Sequence, residues 1–276
     1  MPWLALIQDH LWQFWRPDVL VLQIVLACIY IMLIRQIASG QLSVKQEQPT
    51  PSTTVKIRAP WRRHLAFSSG LVVMYVAMGP LAFLGEQESF TLYVIQMLTS
   101  TMVLPWLLIF SLPYEIIQLL LQIRWIKQIL YWWTRPIFAM VLFNGLLTAT
   151  LIPVVLNHLL ADNWLHVIAQ NVIFLAAVFF WWPIVSPLPE FPQMGRGLKI
   201  LYIAYSTNFM MPIIVILLIS HNPWYPLLAQ GVEQLGFSPL ADQQVGGIVM
   251  LVAMYLIYGT LGIRLYSRQD ESIWYQ

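Results

Sequence analysis

Five histidines and twelve methionines are the residues of this 276-residue chain best suited to chemistry. His158 and His166 flank a turn, His221 falls in a later one, His10 stands near the start, and His64 lies apart from the rest. Met97 sits in an apolar stretch, as do Met102 and Met250. Neutral imidazole and thioether together suit Cu(I), so His158, His166, His221 and Met97 form a candidate metal set, with Cu(I) as the candidate cofactor. The same residues have a plainer reading. Histidine ends membrane helices because it is polar, and methionine packs well among apolar chains. The single cysteine, Cys28, excludes an internal disulfide, a CxxC redox pair and any cysteine-based zinc site.

Other chemistries are excluded by what the apolar stretches lack. Every Asp, Glu, Lys and Arg falls at or beyond the end of such a stretch. Buried ionisable groups mark most ion-coupled transporters, and none is expected at mid-span here. No lysine lies inside the last stretch to form a retinal Schiff base. Gly-x-Ser-x-Gly, His-Glu-x-x-His and paired intramembrane aspartates are all missing from the sequence. No catalytic residue is assigned, and the chain reads as a non-enzyme.

The elements that must hold these residues follow from charge scarcity. Charged residues are 9% of the chain, hydrophobic residues 59%, and mean hydropathy is +0.70. An average soluble domain has about 25% charged residues, so a water-soluble or disordered protein is excluded. A net charge of +2 leaves no footprint for nucleic acid. The charge-free intervals are 19–34, 64–85, 89–114, 136–161, 163–189, 200–232 and 243–263. At about 20 residues per span, they predict seven transmembrane helices, with the first, shortest one extended past Arg35 by snorkelling. The fold class is all-α: a multi-pass membrane protein.

Orientation follows from the cations. With the N-terminus outside and the C-terminus in the cytoplasm, 13 of the 14 Lys and Arg fall in cytoplasmic loops, leaving Arg16 outside, as the positive-inside rule requires. Met1 to Asp18 lacks the basic start of a signal peptide and carries Trp3, Trp12, Phe14 and Trp15, which suggests a helix at the bilayer interface. The expected organisation is an interfacial segment and first span (1–38), a cytoplasmic linker rich in Pro, Ser and Thr (39–63), a six-helix membrane domain (64–266) and a tail (267–276). Between the third and fourth spans, Glu115 to Thr134 has helical apolar spacing with Arg124 and Lys127 among it, predicting an amphipathic cytoplasmic helix. Pro80, Pro105, Pro153, Pro183 and Pro212 are placed to kink spans and free carbonyls.

Two segments stand out beyond composition. Phe180-Trp181-Trp182-Pro183 closes the fifth span, where paired tryptophans are expected to anchor the interface. Asp242-Gln243-x-x-Gly246-Gly247-x-x-Met250 opens the seventh. Asp242 is placed to cap that helix, and Gly246 and Gly247 to admit a neighbouring helix closely. These motifs, in this order, resemble the membrane family of caa3-type cytochrome c oxidase assembly factors (CtaG). Pro80-Leu81, Leu104-Pro105, Leu112-Pro113 and Arg135-Pro136 agree in order, so that the similarity covers about residues 65–266.

The resemblance implies a non-enzymatic factor needed to form an active haem–copper oxidase, handling copper on the outer side. Its implied setting is the inner membrane of a bacterium, and its partners are the lipid bilayer and cytochrome c oxidase subunits or other respiratory-chain proteins. It also implies outer-side histidine runs, from which this chain departs. An H-x-x-Q-H run reads Tyr93 to Met97 here, with Gln96 kept; a WH-x-P run reads Thr150 to Pro153; an H-x-x-E-H run reads His166 to Gln170 and keeps its first histidine. Three readings follow: an assembly factor with a copper site rebuilt from His158, His166, His221 and Met97; a metal-free scaffold or permanent accessory subunit; or a small-molecule channel or transporter.

Overall fold

Long runs of Leu, Ile, Val and Phe leave their backbone amides nothing to bond in hydrocarbon except one another, which a helix arranges within a single segment. In the computed structural model every regular element among the described residues is helical. Residues 15–39, 61–185 and 194–267 are described. The expected interfacial segment with Trp3, Trp12 and Phe14, linker residues 40–60, Ser186 to Pro189 and the tail from 268 lie outside them.

The elements run as α1 (Pro17–Ala38), α2 (Trp61–Met78), α3 (Pro80–Gln87), α4 (Phe90–Leu98), a π-helical turn (Thr99–Val103), α5 (Leu104–Ser111), α6 (Tyr114–Gln122), α7 (Arg124–Trp133), α8 (Pro136–Thr150), α9 (Pro153–Ala161), α10 (Asn163–Val185), α11 (Arg196–Ile219), α12 (Pro226–Gln234) and α13 (Pro239–Ser267). Among the described residues six helical spans are long and apolar enough to cross a membrane, and α8 with α9, bent by 74° at their junction, makes a seventh when counted as one. The first span, shortest by charge, is a continuous helix. The break falls in the fourth, where Pro153 starts a new helix after Leu151 and Ile152 leave the old one.

The third span is the centre of the bundle. Its segments α4, π turn and α5 touch α2, α3, α10 and α13, while α11 lies along α13. Val94, Met102 and Ile109 of this span join Phe143, Ala177, Phe180 and Met210 in the buried core. By contrast α1 attaches to α2 along a narrow strip. Tyr30 stacks on Phe67 with ring centroids 3.8 Å apart, and Gln23 Nε2 donates to the Leu71 carbonyl over 2.9 Å. Most other large side chains of α1 are exposed, as expected for a lipid-facing helix.

The π turn has an identifiable cause. Pro105 has no N–H, so the carbonyl four residues earlier, on Thr101, has no α-helical donor. The ladder shifts by one residue, and Leu104 N–H bonds the Thr99 carbonyl instead. Trp181 supplies the missing donor: its indole Nε1 reaches the Thr101 carbonyl over 3.0 Å.

The predicted amphipathic segment is two helices joined by an elbow at Ile123, whose ψ of 109° is extended. α6 buries Ile116, Ile117 and Leu121, whereas α7 fully buries no residue.

Candidate functional site

The two sequence motifs resolve into two junctions that hold the third span in place. At one, Trp181 is 2% exposed and Trp182 6%. The expectation that this pair anchors the interface is corrected: both rings lie in the protein core. Trp181 must reach Thr101 to repair the break above Pro105, and its ring packs between Phe180 and Tyr258. Pro183 lies inside α10, two residues before its end. It removes one helical donor there, and Tyr202 of α11 donates its hydroxyl to the adjacent Phe180 carbonyl over 3.0 Å. Lys199 Nζ donates to the Ile184 carbonyl over 3.1 Å, a cation at a helix C-terminus where the dipole favours it.

At the other junction, Asp242 is also corrected in its role. It lies in the first turn of its own helix, α13, but its side chain caps α4. Asp242 Oδ2 accepts from Phe90 N–H over 2.7 Å, and Oδ1 accepts from the Ser89 hydroxyl over 2.7 Å. Thr91 returns a bond from its hydroxyl to the Asp242 carbonyl over 2.8 Å. The cap crosses between helices because α13 starts at Pro239, three residues before Asp242, which turns the carboxylate sideways toward the N-terminus of α4, where Ser89 caps only Leu92 N–H. Gln243 is 1% exposed and accepts from Trp224 N–H over 2.8 Å.

Gly246 and Gly247 do admit neighbours closely. A Cβ on Gly246 would stand 2.6 Å from the Phe90 ring, and one on Gly247 would stand 3.2 Å from Leu218. The motif thus seats α13 against the start of α4 and the end of α11.

Near this second junction His166, a candidate ligand by sequence, falls in a polar cluster with a carboxylate that the sequence did not single out. His166 of α10 is 5% exposed, and its Nε2 stands 2.9 Å from Glu86 Oε1 of α3. The Gln170 amide completes a triangle, 3.1 Å from the same oxygen and 2.6 Å from the imidazole. Tyr93 of α4 faces the imidazole, with ring centroids 6.2 Å apart. His166 Nδ1 is buried and unpartnered. The runs at Tyr93–Met97 and His166–Gln170 therefore meet at one place, through Tyr93, His166 and Gln170. Glu86 was hidden in the sequence because a carboxylate beside a turn ordinarily faces water. The signal that could have found it is a pair of acids, Glu86 and Glu88, in a turn otherwise flanked by apolar residues.

His158 and His221 do not gather with His166 into a metal-binding group. His158 is exposed and bonded through Nδ1 to the Val154 carbonyl over 2.7 Å, and His221 is exposed. Met97 is buried, one helical turn beyond Tyr93. Among the described residues no three His, Cys, Asp or Glu side chains come together as a metal-binding group.

Glu88, in the turn between α3 and α4, is 5% exposed with Oε2 unpartnered. The α12 backbone at Gly231 packs over it so closely that a Cβ there would stand 2.7 Å from Glu88 Cα. Burial pushes the Glu88 carboxyl above the ordinary range. The folded protein therefore holds this proton at pH values where the unfolded chain, near 4.5, has lost it. The resulting stability is present in full below the unfolded value and is lost as pH rises through the raised folded value. Glu88→Gln is expected to raise the thermal midpoint over wild type at about pH 7 and to leave it unchanged at about pH 4. The same difference at both pH values would argue against a buried carboxyl.

A multi-pass helical membrane protein, with two interhelical junctions holding a broken central span, is the class that this geometry defines. The family model described as cytochrome c oxidase caa3 assembly factor (Caa3_CtaG) matches residues 49–269, most of the chain. The chain belongs to this family of cytochrome c oxidase assembly factors. No curated protein and no solved structure matches it.

Proposed function

We propose that this protein supports assembly or stability of a haem–copper cytochrome c oxidase as a membrane scaffold, without catalysing a reaction itself. Family membership supports the oxidase as client. One observation favours scaffolding over cargo handling: Trp181, Asp242, Gln243, Gly246 and Gly247 are spent on the protein's own helices. They maintain a shape rather than present ligands. The distribution of Lys and Arg supports an N-terminus outside and a C-terminus in the cytoplasm, and the family supports a bacterial inner membrane as the setting.

The test is a pull-down from native membranes. Oxidase subunits or partly assembled oxidase are expected with the protein. Recovery only while oxidase is being made identifies a transient factor, and recovery with mature oxidase identifies a permanent accessory subunit. A monomer free of any respiratory partner in both conditions counts against the proposal.

A second reading, copper handling, is favoured by His166 alone. An imidazole with Nε2 against a carboxylate oxygen and Nδ1 unpartnered has the layout of a histidine metal ligand with its orienting partner. Met97 is the soft donor nearest in sequence position to this level of α4, while His158 and His221 would have to move to join. On this reading purified, reduced protein retains about one Cu(I) per chain and loses it on His166→Ala. Copper at background in both proteins overturns this reading and leaves the scaffold in place.

A further inference from the structure

We propose that α7, with the turn into α8, docks on anionic phospholipid headgroups of the adjoining leaflet, and that Arg124, Lys127 and Arg135 bind their phosphodiesters. The argument rests on the elbow and does not depend on the oxidase reading. α6 is tied to the core by Ile117 and Leu121. Beyond Ile123 the chain bends, and α7 fully buries no residue, touching the bundle through Leu130 and through Trp133 against Phe179. Immediately after it, Pro136 begins the fourth span. α7 is therefore held within a few residues of a membrane-crossing helix, where lipid must be its neighbour.

The two edges of α7 differ in chemistry. Trp125, Ile129 and Trp132, at spacings of four and three, share one edge and are 63%, 41% and 57% exposed, so protein leaves them uncovered. Arg124 and Lys127, three apart, share the other edge and are also exposed. An uncovered tryptophan edge beside a basic edge is the pattern of a helix lying in the headgroup layer.

Charge selects the headgroup. No Asp or Glu occurs between Glu115 and Asp162, and among the described residues no carboxylate pairs with Arg124, Lys127 or Arg135. Arg135 places its guanidinium 4.0 Å from the centroid of the Trp132 ring. That contact fixes the cation at the depth where the indole sits. Three uncompensated cations at the depth of phosphates complement a headgroup with net negative charge better than a zwitterionic one.

The test uses full-length protein in detergent, with phosphatidylglycerol or phosphatidylcholine of matched acyl chains. Phosphatidylglycerol is expected to raise the thermal midpoint more than phosphatidylcholine. The combined Arg124→Gln, Lys127→Gln and Arg135→Gln variant is expected to lose that excess while keeping its midpoint in phosphatidylcholine. Native mass spectrometry from mixed vesicles should show the lipid preference falling about fivefold per cation removed, about 1 kcal/mol each. Lys127→Gln alone, at an exposed position, carries the test should the combined variant fail to fold. Equal responses to the two lipids, or an unchanged preference in the variants, overturns the proposal. So does an equal response to inorganic phosphate, which would assign the cations to a free anion.

Discussion

Trp181→Ala is expected to lower the unfolding free energy by about 3–5 kcal/mol, the range for removing a large buried aromatic side chain. Two losses combine. The ring is among the largest fully buried groups in the protein and packs on Phe180 and Tyr258, so truncation leaves a cavity between α10 and α13. The second loss is at Thr101, whose carbonyl has Trp181 as a donor in place of the N–H that Pro105 lacks. Trp181→Phe separates them, since it keeps most of the ring and removes only the N–H. It is expected to cost about 1–3 kcal/mol, the penalty of a buried acceptor left unmade. Denaturation in detergent with both variants reads the difference. A Phe variant as stable as wild type would mean that the indole fills space and does not repair the broken span. Both variants should reduce the amount of assembled oxidase in proportion to folded protein, because Trp181 acts on the shape of the bundle.

Asp242→Ala is expected to cost about 2–3 kcal/mol, since hydrogen bonds to a charged group are worth about 1.5–3 kcal/mol. The carboxylate is the cap of a helix in another part of the chain. Its removal strips partners from Phe90 N–H and the Ser89 hydroxyl together. Asp242→Asn keeps an acceptor and should lose less, about 1 kcal/mol. Ser89→Ala in the Asp242→Ala background should add less than it does alone, because the two side chains share a bond. Strict additivity of the two substitutions would remove the interhelical cap from the account. A loss confined to α13, with α4 unaffected in amide exchange, would show that Asp242 serves its own helix after all.

These two residues also show how far the sequence can be read. Asp242 stood out because an acid, a glutamine and two glycines open a span, and a cap with close helix packing was inferred. The packing is right, but the capped helix is α4, about 150 positions away in the chain, as its bonds to Ser89 and Phe90 show. Trp181 stood out as half of an aromatic pair beside proline, and it was placed at the interface. Tryptophan suits both a headgroup layer and a buried acceptor, and only the position of Pro105 on a neighbouring helix decides between them. Glu86 does not stand out in the sequence as a partner of His166. The two are 80 residues apart, and the neighbouring acids Glu86 and Glu88 mark the turn without identifying that partner.

The near absence of mid-span charge determined, from the sequence alone, that this chain lives in a membrane as seven apolar segments; that the fourth bends by 74° between α8 and α9 is a finding of the structure. Hydrocarbon imposes the segments one by one, because each stretch must satisfy its backbone within itself and each charge must leave the apolar layer. The motif order determined the family by the same local means. What only the tertiary structure decided is which groups serve one another: the indole on Thr101, the carboxylate on α4, the imidazole on Glu86. Those pairings depend on where separate helices come to lie side by side. Each satisfies a polar group that no residue near it in sequence can reach, and there the chemistry of the protein is concentrated.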